Sequence, residues 1–211
     1  MQRLSLFHWM IATLLIAPLL SSCSPRPRKT IENLGHACQS EECAAHRYIR
    51  YAEQAQKEGL RNVANLLEAL AKSEHVQDGQ IRHFLEIYGI QEPAMIPDTA
   101  YPVETTLENL QFSVNAKTYK GSTAYPIFTS TAADEHAYPV EELFRHMALI
   151  AQQHAKYCRK AMDILTREHD DINLVNSWSV CPQCGSVYIT VSLDENCTVC
   201  GRSAATFILF Q

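Results

Sequence analysis

Two short motifs near the C-terminus carry the most specific chemistry in the sequence. They are Cys181-Pro182-Gln183-Cys184-Gly185 and Cys197-Thr198-Val199-Cys200-Gly201. Each pair offers two thiolates from one tight turn, and the following glycine lets the backbone bend so that N–H groups face the sulfurs. Four thiolates in this arrangement suit a tetrahedral ion, Zn²⁺ or a single iron, and the donor set does not choose between them. The competing reading is a pair of disulfides, closed either as strained loops within each Cys-x-x-Cys or, less commonly, across the two motifs. A second group of residues lies upstream. Glu74, Gln77, Lys117 and His154 are polar, yet each falls on an otherwise apolar helical stripe.

These side chains need helices to position them. From Glu41 to His169 the pattern is helical. A first helix runs from Glu41 to Gly59 with Ala44, Tyr48, Tyr51, Ala52 and Ala55 on one face, and Gly59 ends it. The second carries Val63, Leu66, Leu67, Leu70, Glu74, Gln77, Ile81, Phe84 and Leu85, spaced by threes and fours, and stops at Gly89. Ile90 to Val103 is a long connection containing proline, of the kind that crosses over in a four-helix bundle. A third helix opens at Thr105, with Glu108 completing a capping box. Its stripe is Leu107, Leu110, Val114, Lys117 and Gly121, and it continues past Tyr125-Pro126 with a kink. The fourth begins at Pro139 and buries Val140, Leu143, Phe144, Met147, Ala151, His154, Cys158, Ala161 and Leu165. Cys158 on that stripe reads as a small core residue.

At the N-terminus, Arg3 precedes an apolar run from Leu4 to Leu20 and then Leu20-Ser21-Ser22-Cys23. This is the layout of a secretory signal, and the ending resembles a bacterial lipobox, with Cys23 as the lipidation site. Residues 1–22 are therefore read as a lipoprotein signal peptide and 23–34 as a tether rich in Pro and Arg. The expected location is the bacterial cell envelope, with the chain held in the outer membrane by its lipid and facing the periplasm. The net charge of −5, without a basic stripe, excludes nucleic acid as a partner. Cys38, Cys43 and Cys158 are left over from the metal and lipid assignments, and the sequence does not decide whether Cys38 and Cys43 are bridged.

Further stretches carry a family resemblance. Glu41-x-x-Ala44-x-x-Arg47-Tyr48, Ala69-Leu70-Ala71-Lys72-Ser73-Glu74, Tyr125-Pro126, the run from Phe144 to His154, and Trp178 ahead of the first cysteine pair resemble the rubrerythrins. That resemblance implies a mainly α fold: a ferritin-like four-helix bundle over 35–170, followed by a small rubredoxin-like or zinc-ribbon β domain over 175–211. It also implies a homodimer. In the family, carboxylates and histidines on four helices hold two irons. Carried over position by position, Glu41, Glu74 and His154 keep a ligand. Gln77 stands for a histidine, Lys117 and Lys120 stand for two glutamates, and Ala151 stands for a third.

Three functional expectations follow. Rubrerythrins reduce peroxide at the diiron centre with electrons from the four-cysteine iron. This ligand set argues against a diiron centre, so the leading expectation is an exported lipoprotein whose bundle is non-catalytic. Its cysteine site would then hold iron for electron transfer, with a redox partner, or zinc for structure; export favours zinc, because disulfide formation competes for the sulfurs. The second expectation is an oxidoreductase using a reduced metal site at Glu41, Glu74 and His154. The third is a membrane-anchored interaction module with a structural zinc ribbon. Lys117 and Lys120 are expected to neutralise Glu41 and Glu74 in the bundle, with Gln77 and His154 adding hydrogen bonds; the alternative is that both lysines snorkel to solvent.

Overall fold

The computed structural model describes residues 26–91 and 102–211. The signal peptide, Cys23 and most of the expected crossover lie outside the described residues. Five α-helices come first: α1 (Arg28–Lys57), α2 (Arg61–Ile87), α3 (Thr106–Tyr119), α4 (Tyr125–Asp134) and α5 (Tyr138–Glu168). Because α3 and α4 form one rod joined by a π-helical turn over Lys120–Ala124, the arrangement is a four-helix bundle. Three short strands follow, β1 (Trp178–Val180), β2 (Val187–Ile189) and β3 (Ile208–Phe210). They form an antiparallel sheet ordered β2-β1-β3, with Trp178 opposite both Ile189 and Phe210.

Local signals set most boundaries. Gly59 turns the chain between α1 and α2 at φ +82, a conformation that costs an L side chain but not glycine. Thr105 and Glu108 form the expected capping box on α3. Asp171, after α5, accepts from the Val63 amide at 2.9 Å and so caps the start of α2 across the fold.

The first helix is longer than the sequence predicts. It begins at Arg28, so residues assigned to the tether are helical, with Thr30 and Leu34 buried. The apolar spacing continues backward through Leu34, Ala37 and Cys38, and the Glu135 carboxylate receives the first-turn amides of Lys29 and Thr30. An anion at a helix N-terminus meets both the free N–H groups and the helix dipole. The Pro and Arg content of the segment concealed this continuation. On α3, Leu107 is exposed, and Thr106 and Asn109 take the buried positions. The break in the α3–α4 rod is the π turn ahead of Tyr125-Pro126, and a π bulge is a recognised source of helix irregularity.

Packing divides the interior into layers. One apolar cluster joins Tyr48, Leu66, Leu70, Leu110 and Cys158 to Trp178, Val180 and Val187 of the sheet. A second, at the other end of the bundle, gathers Leu34, Ile81, Leu85, Phe144 and Met147. Between them every helical rod contributes buried polar side chains: Glu41, Ser73, Glu74, Gln77, Lys117 and His154. The third cluster is Ile150 of α5 against Cys181, Cys184 and Cys197, so the cysteine site rests on the bundle.

Candidate metal centre

The four cysteine sulfurs converge: the Sγ atoms of Cys181, Cys184, Cys197 and Cys200 all lie within 4.8 Å of one another. Sγ of Cys181 is 3.7 Å from that of Cys200, and Sγ of Cys184 is 3.5 Å from that of Cys197. Metal–sulfur bonds of about 2.3 Å in a tetrahedron put sulfurs roughly 3.8 Å apart. A disulfide needs about 2.05 Å. Both separations are far longer than a disulfide bond, so the disulfide alternative does not apply to these four cysteines. The donor set fits one Fe or Zn ion.

The knuckles bend as expected, with backbone amides facing the sulfurs. Gly185 and Gly201 adopt φ +86 and +75, but their own N–H groups close the turns onto the carbonyls of Cys181 and Cys197. The amides that face sulfur come from neighbours: Gln183 and Cys184 for Cys181, Ser186 for Cys184, and Arg202 for Cys200. The glycine supplies the bend, and adjacent residues supply the donors.

The polar layer lies beside this site. Lys117 on α3 is 3 % exposed. Its ammonium sits 3.2 Å from Glu41 Oε2 and 2.5 Å from Glu74 Oε2. Lys120 reaches the same Glu41 oxygen at 2.8 Å. Both lysines therefore turn inward rather than snorkelling. His154 is fully buried, with Nδ1 2.8 Å from Glu74 Oε1. That contact is close enough for an ion pair but lies outside hydrogen-bond geometry, so Glu41 Oε1, Glu74 Oε1 and His154 Nδ1 all lack a hydrogen-bond partner among the described residues. Gln77 does not join the cluster as expected. Its amide donates instead to Ser73, at 3.3 Å to Oγ. Ala151, also buried, supplies no polar group.

Ser73 links the two sites, and the sequence reading passed over it. Its hydroxyl donates to the Gly185 carbonyl, one residue beyond Cys184, and also lies 3.1 Å from His154 Nε2. Its position immediately before Glu74 was the available signal, but only the docking of the β domain gives it a partner. The approach is tight. A Cβ on Gly185 would lie 2.8 Å from the Ser73 carbonyl oxygen and 3.1 Å from its Oγ. Gly185→Ala is therefore expected to lower stability by about 1–3 kcal/mol through left-handed strain alone, with the clash added to it. Thermal unfolding checks this, and a midpoint equal to that of the unaltered chain would mean the contact is not kept in solution.

Burial and charge set the protonation of the layer. Burial drives Glu41 above its usual range despite Lys117 and Lys120. Burial acts on Glu74 too, but Lys117 and the contact with Glu41 overcome it and hold this carboxyl below the usual range. Lys117 is raised, because the two glutamates outweigh its desolvation, whereas burial leaves Lys120 lowered. His154 is held well below its ordinary 6.5 by burial and by the neighbouring Lys117, so the folded imidazole is neutral.

The pH dependence follows from these directions. Below about pH 6.5 an unfolded chain protonates this imidazole while the folded chain does not. The unfolded state then binds more protons, and stability falls as the pH drops. Glu74, depressed when folded, adds to the loss below its unfolded value of 4.5, and Glu41, raised when folded, opposes it. The unfolding free energy of the unaltered chain is expected to fall more steeply between pH 7 and 5 than that of His154→Gln. Parallel slopes would rule out a neutral buried His154.

Comparisons with known proteins agree with this layout. The Rubrerythrin family model matches residues 32–162. Rubrerythrin-2 of Clostridium acetobutylicum is 29% identical over 185 residues, covering 86% of this chain and 96% of the relative. Nigerythrin of Nitratidesulfovibrio vulgaris is also 29% identical, over 184 residues and 86% of each chain. A solved structure described as the fully reduced, all-ferrous state of nigerythrin aligns with a TM-score of 0.74 at 26% identity, covering 86% of each chain. It shares the helical bundle and the small C-terminal domain with its four-cysteine cluster.

Proposed function

The chain belongs to the rubrerythrin family, and from that premise we propose that it is a lipid-anchored envelope protein whose four-cysteine site holds one metal ion and whose bundle is closed by an ion-pair cluster in place of a diiron centre. The single observation that carries this reading is the Lys117 ammonium lying between the carboxylates of Glu41 and Glu74. A diiron centre balances its charge against several carboxylates. Here two ammonium groups face two carboxylates, and the layer is balanced without metal when His154 is neutral. The residues present do not fit two irons.

Iron at the cysteines would supply a one-electron couple, whereas zinc would supply only structure. The residues of this chain bring the site against the bundle: Ile150 covers the sulfurs, and Ser73 holds Gly185 to α2. An ordered, partly covered site of this kind suits electron transfer to a redox partner. A paired second bundle and attachment through Cys23 belong to the same reading, the latter supported by Leu20-Ser21-Ser22-Cys23.

A second reading is favoured by one specific feature. Among the described residues, Glu41 Oε1, Glu74 Oε1 and His154 Nδ1 are buried without hydrogen-bond partners, and all three are metal-ligating atoms. If they served a reduced metal site, peroxide would be consumed by the chain and this activity would vanish in Glu74→Ala. Metal content with a visible spectrum on the full chain separates the readings. One iron or one zinc per chain with no peroxide turnover is expected; three irons per chain would overturn the ion-pair reading and return peroxide reduction to this bundle.

A further inference from the structure

Between α1 and the α3–α4 rod lies a cavity of about 510 Å³, within the usual range for small-molecule sites. It has a consistent chemical character. Tyr48, Phe112, Tyr125 and Phe128 give it aromatic walls. Arg47, Lys117 and Lys120 also line it, and among the described residues no carboxylate does. Glu41 and Glu74, which balance the two lysines, are not among the lining residues. Tyr125 is 2 % exposed, and its hydroxyl has no hydrogen-bond partner among the described residues. Burying such a group without a partner costs free energy. Tyr119 and Ile127, at 62% and 57% exposure, line the same cavity and leave apolar surface at its opening.

We propose that this cavity binds a small planar aromatic carboxylate. The ring system lies against the aromatic walls, where offset or edge-on packing adds to area burial. The carboxylate accepts from the Tyr125 hydroxyl and from the cations of the wall. Lys120 gains most from it. This ammonium is disfavoured by burial, and it shares its Glu41 oxygen with Lys117. An uncharged aromatic of the same shape offers those donors no charged acceptor. A cationic one is repelled. The site is separate from the cysteine centre, and the proposal stands whether that centre holds iron or zinc.

Calorimetric titration of the full chain with 2-naphthoate tests the idea, with 2-naphthalenemethanol as the uncharged counterpart. One naphthoate per chain is expected to bind about tenfold more tightly than the alcohol, the difference one charge-assisted hydrogen bond makes. Tyr125→Phe removes an unpaired buried hydroxyl, so the fold is kept while naphthoate binding weakens roughly three- to tenfold. Ala116→Trp, which fills the cavity from α3, abolishes binding. Equal affinity for acid and alcohol, unchanged binding in Tyr125→Phe, or the absence of saturable binding would each overturn the proposal. So would naphthoate affinity that falls as chain concentration rises, because a second copy would then be the occupant of this face.

Discussion

Lys117→Met is expected to destabilise the chain by about 3–5 kcal/mol, the usual cost of removing one partner from a buried ionic group. The residue is 3 % exposed and bonds both Glu41 and Glu74. Among the described residues, its loss leaves Glu74 with only the neutral His154 beside it and Glu41 with Lys120 alone. Water does not reach either carboxylate to compensate. For a chain of this size such a loss lowers the melting midpoint by roughly 10 °C. Lys120→Met is expected to cost less, since its side chain is 14% exposed and Glu41 keeps Lys117. The combination Glu41→Gln, Glu74→Gln, Lys117→Met, Lys120→Met should recover much of the single-variant loss, because a neutral layer carries no unpaired charge. Equal stability of Lys117→Met and the unaltered chain would remove the ion-pair account of the layer.

The second large effect is expected from Cys184→Ser. Cys184 is 1 % exposed and stands beside both Ile150 and the Gly185–Ser73 contact. A sheet of three strands, each three residues long, has too little interior to hold itself together. A tetrahedral ion on four thiolates contributes on the order of 10 kcal/mol or more to folding in small metal-organised domains. The variant is therefore expected to lose its metal and the order of the β domain together. Trp178 reports the change: it packs edge-on to Tyr157 with ring centroids 4.9 Å apart, and its fluorescence should shift to the red as this contact opens. Chelation of the unaltered chain should give the same spectrum. Full metal content in Cys184→Ser would overturn the ligand assignment, and an unchanged Trp178 environment after metal loss would overturn the ion's structural role.

Both effects can be traced to features that differ in how far they were legible. The cysteine centre was readable because each Cys-x-x-Cys-Gly is a local unit, with two ligands and the bend that aims them within five residues. The helices were readable because burial imposes a period of three and four on the apolar positions. The same rule carries α1 back to Arg28 through Leu34, Ala37 and Cys38, where the Pro and Arg residues masked it. Leu107 shows the opposite failure, an apolar residue near a helix start that satisfies the period and still faces solvent.

The sequence by itself determined which residue types meet in the middle of the bundle. Glu41, Glu74, Lys117 and His154 occupy stripe positions, and stripe positions face inward whatever the helix packs against. Only the tertiary structure decided how they pair. Lys117 takes both carboxylates, Lys120 takes Glu41 alone, and Gln77 turns away to Ser73, because each distance depends on how helices far apart in the chain are set against one another. The Ser73–Gly185 contact spans 112 residues and exists only once the β domain has docked. Hydrophobic period is a property of one helix, whereas a hydrogen bond between two elements is a property of their relative position, which no local pattern encodes.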